Sequence, residues 1–168
     1  EGNPTPEFIK LELAVKPHQV TLVPDAHDAI TSNAGWNTVN NIDFLTEVTA
    51  RFKEAGIRVS IFVDADPRMV EFAAKAGADR VELYTEPYAT GYPIDREKAV
   101  APFVEAARVA KQLGLGLNAG HDLSLENLKY LHTMIPWIDE VSIGHALIAD
   151  ALYFGLENTI KQYKEQLM

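Results

Sequence analysis

The sequence predicts an α/β protein in which repeated strand and helix units form a parallel β-sheet covered by helices. Five short apolar runs have the composition of strands, and a segment of helical length separates each run from the next. In "EAGIRVS", "KAGADRVE" and "QLGLGLN", a glycine lies where a helical stretch ends and a strand begins within a few residues. Strands that are buried on both faces have continuous apolar runs, so these observations together favour a parallel sheet.

The predicted strands and helices alternate along the chain. A first helix extends from Pro6 to Lys16 with Thr5 as its N-cap, and a second, Val39 to Ala55, ends before Gly56. The predicted strands are His18 to Val23, Arg58 to Asp64, Asp79 to Thr85, Leu115 to Gly120 and Glu140 to His145. The remaining predicted helices are Pro67 to Ala76, Ile94 to Leu113, Ser124 to Met134 and Ala146 to Leu167, the last divided at Gly155 into a short and a longer helix.

Composition limits the class of protein. The 168 residues, 47% of them hydrophobic, suit one globular domain over residues 1–168. The net charge of −9 argues against nucleic acid or an anionic membrane as the main partner. No apolar run reaches the roughly 20 residues of a membrane span, the first residues lack the features of a secretory signal, and there is no cysteine. We therefore expect a soluble, cytoplasmic protein that holds any anionic ligand through local groups.

The loops that follow the strands carry the unusual residues. Ligand sites in parallel α/β folds lie at the carboxyl ends of the strands. The loop "PDAHDAITSNAGWNT", which contains Thr31, is long for a compact domain and is either a lid or a plain surface loop. Asp64 and Asp66 also follow a strand, and we interpret both as helix N-caps because "DAD" alone is a weak metal signal.

Two Gly-His pairs lie at the ends of the last two predicted strands. Gly144 and His145 open a helix, where unpaired backbone N–H groups and the positive end of the helix dipole bind phosphate without a lysine or arginine. The turn from Gly120 to Asp122 could line the other side of such a site. The alternative is that these histidines are capping or solvent-facing residues, and Asp122 an N-cap.

Two further side chains are candidates for acid–base chemistry. An imidazole side chain is suited to proton transfer near neutral pH, and His121 lies beside the predicted anion site. Glu82 alternates with Val81 and Leu83, which predicts that it points into the barrel interior. A buried carboxylate there must be paired, protonated or part of a functional site. The alternative to an acid–base role for Glu82 is therefore an internal ion pair that fixes the strand register.

The segments "HQVTLVPD", "VSIFVDAD", "GADRVELYTEPYA", "LNAGHDLSLENL" and "VSIGHALIADALYFGL" closely resemble the pyridoxine 5′-phosphate synthase family, in that order and at that spacing, over essentially the whole chain. The resemblance implies a (β/α)8 TIM barrel, of which this chain holds roughly the last five strands and their helices, about 70 residues at the start of the family's usual chain having no counterpart. It implies condensation of 1-deoxy-D-xylulose 5-phosphate with 3-amino-2-oxopropyl phosphate to pyridoxine 5′-phosphate, phosphate and water. It also implies a homo-oligomer, an octamer, and requires neither a cofactor nor a metal.

The resemblance assigns roles position by position. His121 matches the catalytic proton donor, and Glu82 matches the buried glutamate that stabilises the transition state. Counting back from "KPHQVTLVP", Glu1 matches a general acid or base. The residues matching substrate contacts are Thr31 for the deoxyxylulose phosphate, and Gly144 and His145 for the phosphate of the amino-ketone. Asp122 is assigned to the same phosphate site, at a position where the family often has a glycine.

Two other functions remain open from the residues themselves. A sugar-phosphate isomerase or aldolase would share phosphate capture by the last loops of the barrel. A non-catalytic domain that binds a phosphorylated ligand would need Gly144 and His145 but would tolerate the loss of His121 and Glu82.

Overall fold

The computed structural model describes residues 1–25 and 32–168, and these residues form one parallel sheet with helices packed on it. The five strands are hydrogen-bonded in the order in which they occur along the chain. The strands are β1 (Gln19–Leu22), β2 (Arg58–Val63), β3 (Arg80–Leu83), β4 (Gly116–Gly120) and β5 (Glu140–Ser142). The helices are α1 (Pro6–Val15), α2 (Ile42–Glu54), α3 (Pro67–Lys75), α4 (Glu86–Gly91), α5 (Arg96–Gln112), α6 (Leu128–Met134), α7 (His145–Phe154) and α8 (Leu156–Glu165).

Every neighbouring pair of strands is parallel, which confirms the predicted α/β class and is the arrangement of part of a TIM barrel. Each carboxyl end therefore lies at the same edge of the sheet. At the free side of β1, Gly2 forms a parallel bridge with Leu22 and so brings the start of the chain to this edge.

The two faces of the sheet differ in chemistry. Side chains such as Val59, Ile61 and Leu117 are buried against α2, α3 and α5 in an apolar core. The opposite face carries buried polar residues, among them Glu82 and Asn118, which lie opposite one another in register. The predicted burial of Glu82 on the interior face is confirmed.

Most predicted boundaries agree with the structure within a few residues. The Thr5 hydroxyl accepts a hydrogen bond from the Phe8 amide and caps α1. Gly56, Gly77 and Gly114 have φ between 74° and 87°, a left-handed conformation that lets each helix end and the next strand begin at once.

The structure differs from the predicted elements in three places. Helix α4 was not predicted, since its six residues follow β3 directly and include a proline and a glycine. Helix α6 begins at Leu128 instead of Ser124, because the Asn127 side chain accepts from the Ser124 amide and forms a turn first. The break at Gly155 is present, but α7 and α8 have ten residues each, so the expected short and longer helices are wrong in length.

None of the helices in residues 1–25 and 32–168 has both the length and the apolar composition needed to cross a membrane.

Candidate active site

A pocket of about 320 Å³ lies at the carboxyl ends of the strands and brings together residues that are far apart in the sequence. Four of the predicted site residues, Glu1, Glu82, His121 and Gly144, line this pocket. Its other lining residues are Ser32, Phe62, Ser142 and Ile143.

Glu82 is the buried acid of the pocket, with only 3% of its surface exposed. The Thr21 hydroxyl donates to Glu82 Oε2 across 3.4 Å. Burial, followed by the charges of Glu1 and Glu140, raises the pKa of Glu82 from 4.5 to about 7. Among the described residues Glu82 forms no ion pair, and the nearby Arg58 and Arg80 pair instead with Glu140, at 3.9 and 3.5 Å. The register-fixing ion pair is therefore not supported.

Glu1 reaches the pocket because Gly2 is held against β1. The Gly2 amide donates to Thr21 O at 3.1 Å, and the Val23 amide donates to Gly2 O at 3.0 Å. These bonds place Glu1 beside the end of β1, and its charge contributes to the raised pKa of Glu82.

His121 follows β4 in an unusual backbone conformation. Its φ is 57°, a left-handed value that is costly for a residue with a Cβ and is often found at functional sites. The His121 amide donates to Ser142 O at 2.7 Å, which extends the pairing of β4 with β5 beyond Gly120. The imidazole is half-exposed and packs edge to face against the ring of His145, with 5.6 Å between the ring centroids.

Gly144 and His145 form the start of α7, whose first-turn N–H groups have no partner within the helix. An added Cβ at Gly144 would meet no described protein atom within 4 Å, and its φ of −106° does not require a glycine. The protein's own packing therefore does not explain this glycine, whereas the close approach of a ligand would.

Asp122 and Thr31 complete the predicted set. Asp122 Oδ2 lies 3.4 Å from His121 Nδ1, so its carboxylate contacts the histidine and caps no helix. Thr31 falls outside the described residues. The next residue, Ser32, lines the pocket and donates its hydroxyl hydrogen bond to Asp25.

Several residues of this edge were missed or misread in the sequence. Thr21, which holds Glu82, could have been found because it alternates with the apolar Val20 and Leu22 along β1 and so lies on the interior face.

The two aspartates after β2 have different roles. Asp66 is an N-cap as predicted, accepting from the Arg68 amide. Asp64 is not a cap: it accepts from the Gly35 amide at 2.8 Å and so ties the long loop to β2.

A second pocket, of about 650 Å³, lies between the loops after β2 and β3 and helix α5. Asp64, Asp66, Glu86 and Asp95 line it with Lys98 as the cation, so its charge is unsuited to a phosphorylated ligand. Within the described part of the chain, no three His, Asp or Glu side chains are grouped so that they could hold a metal ion.

The fold is shared with solved structures of low sequence identity. A chain in the crystal structure of the Amycolatopsis orientalis BexX/CysO complex matches with a TM-score of 0.56 and 14% identity, covering 95% of this chain and 62% of that one. GMP reductase from Trypanosoma brucei matches with a TM-score of 0.58 and 16% identity, covering 85% of this chain and 31% of that one. At these identities the similarity establishes the fold alone.

The sequence has much more similar relatives. The model of a family described as "Pyridoxal phosphate biosynthesis protein PdxJ" matches residues 1–168. Proteins named pyridoxine 5′-phosphate synthase from Phocaeicola vulgatus and Bacteroides thetaiotaomicron are each 70% identical over 167 residues, which are 99% of this chain and 70% of each relative. The protein of that name from Cytophaga hutchinsonii is 65% identical over the same length.

Proposed function

The chain belongs to the family of the pyridoxal phosphate biosynthesis protein PdxJ, and we propose that the pocket between Glu82 and His121 is where it forms pyridoxine 5′-phosphate. The activity is that of a pyridoxine 5′-phosphate synthase, an enzyme of vitamin B6 biosynthesis. Its substrates are 1-deoxy-D-xylulose 5-phosphate and 3-amino-2-oxopropyl phosphate. The observation that carries the proposal is the convergence of an acid, a histidine and a glycine at a helix start in one pocket.

The reaction needs groups that move protons. The amine and a ketone condense to a Schiff base, phosphate and water leave, and an aldol-type closure forms the ring. Glu1 and His121 line the pocket and are the proton donors and acceptors of these steps. Positioned acid–base groups of this kind contribute about 10²- to 10⁴-fold each.

Glu82 stabilises charge that develops during the reaction. Its carboxyl group is fixed by β3 and by Thr21, and it is shielded from water. In such surroundings a charge acts with little screening and the group needs no reorganisation. With a pKa near 7, Glu82 also changes protonation state at small cost near neutral pH.

The start of α7 binds the phosphate of the amino-ketone. Gly144 leaves room for close approach, and the first-turn amides with the His145 ring supply hydrogen bonds and positive potential. In this way a chain with a net charge of −9 holds the phosphate of the amino-ketone through local groups. Thr31 stays a predicted substrate contact, and the long loop after β1 stays a predicted lid.

The decisive experiment mixes the full-length protein with both substrates and follows absorbance of the pyridine product. His121→Asn is the matched variant, because asparagine tolerates a left-handed backbone better than most residues. Product from the unmodified protein, with turnover lost and substrate affinity kept in His121→Asn, supports the proposal. A folded protein that binds both substrates and forms no product would contradict it.

We also propose that the enzyme is a cytoplasmic homo-oligomer, an octamer as the resemblance implies. For association between subunits, the support lies in α7, where Leu152 and Tyr153 are 83% and 86% exposed and no residue is buried. Light scattering coupled to gel filtration measures the number of subunits directly, and a monomeric protein at micromolar concentration would contradict the proposal.

A further inference from the structure

We propose that Asp122 is a positioning residue that fixes the tautomer of His121, so that Nδ1 keeps its hydrogen and Nε2 exchanges a proton with the substrate. This inference rests on the proposed function, because it gives a partner to the histidine that moves protons in that reaction.

The contact itself is direct. Asp122 Oδ2 lies 3.4 Å from His121 Nδ1, and only about a quarter of the Asp122 side chain is exposed. Among the described residues, the Asp122 carboxylate has no other hydrogen-bond partner. A carboxylate only accepts hydrogen bonds, so this contact requires the hydrogen to be on Nδ1.

The place of Asp122 is set by its backbone and not by its side chain. Its amide donates to Gly120 O at 2.8 Å and to the Thr85 hydroxyl at 3.3 Å. Its carbonyl oxygen accepts from Asn127 Nδ2 at 3.3 Å. Removing the carboxylate therefore leaves these anchors in place.

The histidine is held from two other directions. Its amide is bonded to Ser142 O, and the edge-to-face contact with His145 limits rotation of the ring. With Nδ1 turned to Asp122, Nε2 is the ring nitrogen left for a ligand in the pocket that His121 lines. The charged or titratable groups around the ring are Asp122, His145, Glu1 and Glu82.

This arrangement suits a proton donor. The imidazolium form carries hydrogens on both nitrogens, and the Asp122 carboxylate stabilises its charge. Proton transfer breaks the Nε2–H bond, forms a bond from the proton to the substrate atom, and leaves the neutral ring with its hydrogen on Nδ1. A carboxylate also repels phosphate, which makes positioning of His121 a better use of Asp122 than contact with a substrate phosphate.

The test is ¹⁵N NMR of the histidine side chains in the full-length protein without substrate, with the His121 signals assigned from their loss in His121→Asn. We expect the neutral ring of the unmodified protein to carry its hydrogen on Nδ1. In Asp122→Ala we expect the hydrogen to move to Nε2, the tautomer that dominates in free histidine, with kcat about tenfold lower and KM within about twofold.

Asp122→Asn is the matched control, since it keeps an acceptor oxygen but loses the charge, and we expect its kcat to lie between the other two. An Nε2–H tautomer in the unmodified protein, or the same ¹⁵N pattern in Asp122→Ala, would overturn the inference. These spectra need no turnover, so a protein with the expected tautomer that forms no pyridoxine 5′-phosphate would instead contradict the proposed function.

Discussion

At the scale of single residues, the raised pKa of Glu82 links the proposed active site to stability. The carboxyl group has a pKa of about 7 in the folded protein and 4.5 as an ordinary glutamate, so the folded state holds its proton more tightly. The contribution of this carboxyl group to the free energy of unfolding is therefore greatest below pH 4.5. That contribution is lost progressively as the pH rises from 4.5 to about 7.

The corresponding substitution is Glu82→Gln, which keeps the shape of the side chain and cannot ionise. We expect this variant to gain about 3 kcal/mol of unfolding free energy over the unmodified protein at pH 8, and little at pH 4. Urea titrations of both proteins at the two pH values measure this difference. An equal difference at both would mean that the carboxyl group titrates normally.

Gly144 gives a second prediction about a single residue. Because an added Cβ would meet no described protein atom within 4 Å, Gly144→Ala should leave the melting temperature unchanged within about 2 °C. The methyl group would occupy space that we assign to phosphate, and we expect KM for the amino-ketone to rise about tenfold or more. Thermal unfolding and steady-state kinetics on one preparation distinguish this from a folding defect.

At the scale of elements, the return of the long loop to the sheet is held by close backbone contacts. The Trp36 amide donates to Phe62 O at 2.8 Å, and its indole donates to Leu22 O at 3.1 Å. A Cβ on Gly35 would lie 2.3 Å from the Asp64 amide nitrogen, far inside contact distance. The loop can follow this path only with a glycine at position 35.

We therefore expect Gly35→Ala to displace the loop from β2 and to lower kcat/KM by about tenfold or more, with a loss of unfolding free energy of roughly 1 to 3 kcal/mol. Gly56→Ala is a useful comparison, since its Cβ meets nothing within 4 Å and only its φ of 79° opposes the change. It should lose stability without loss of kcat/KM. Equal kinetic effects in both variants would show that the loop contact is unimportant.

The agreement between sequence and structure is also best judged by element. The strands were predictable from continuous apolar runs such as "RVSIFV". A short run of this kind, between two helices that each end at a glycine, has few possible structures other than a buried strand. Helix α4 was not predictable, because a segment of six residues is too short for a helical period to be recognised. Glu82, His121 and Gly144 were placed at one edge by strand direction, whereas the Asp122 contact depends on a backbone conformation that the sequence does not reveal.

At the scale of the whole molecule, the exposed apolar side chains are concentrated in the last two helices. Ile148, Leu152, Tyr153 and Leu156 are each more than half exposed. Burial of such side chains contributes about 1.5 to 3 kcal/mol each, so a surface of this kind favours association.

We expect the double substitution Leu152→Glu and Tyr153→Glu to reduce the number of subunits measured by light scattering, because two charges would be buried in the contact. Far-ultraviolet circular dichroism should stay unchanged, since neither side chain supports the described core. An unaltered subunit number would place the contact on another surface.

The amide of His121 belongs to the β4–β5 pairing, while its side chain belongs to the pocket. Any opening that separates these two strand ends must therefore also move the His121 side chain in the pocket. Hydrogen–deuterium exchange at the His121 N–H would then report the fraction of molecules in which these strand ends have separated and the histidine has moved. A substrate that binds only the closed arrangement should slow this exchange in proportion to its occupancy, which gives an affinity measurement that needs no turnover.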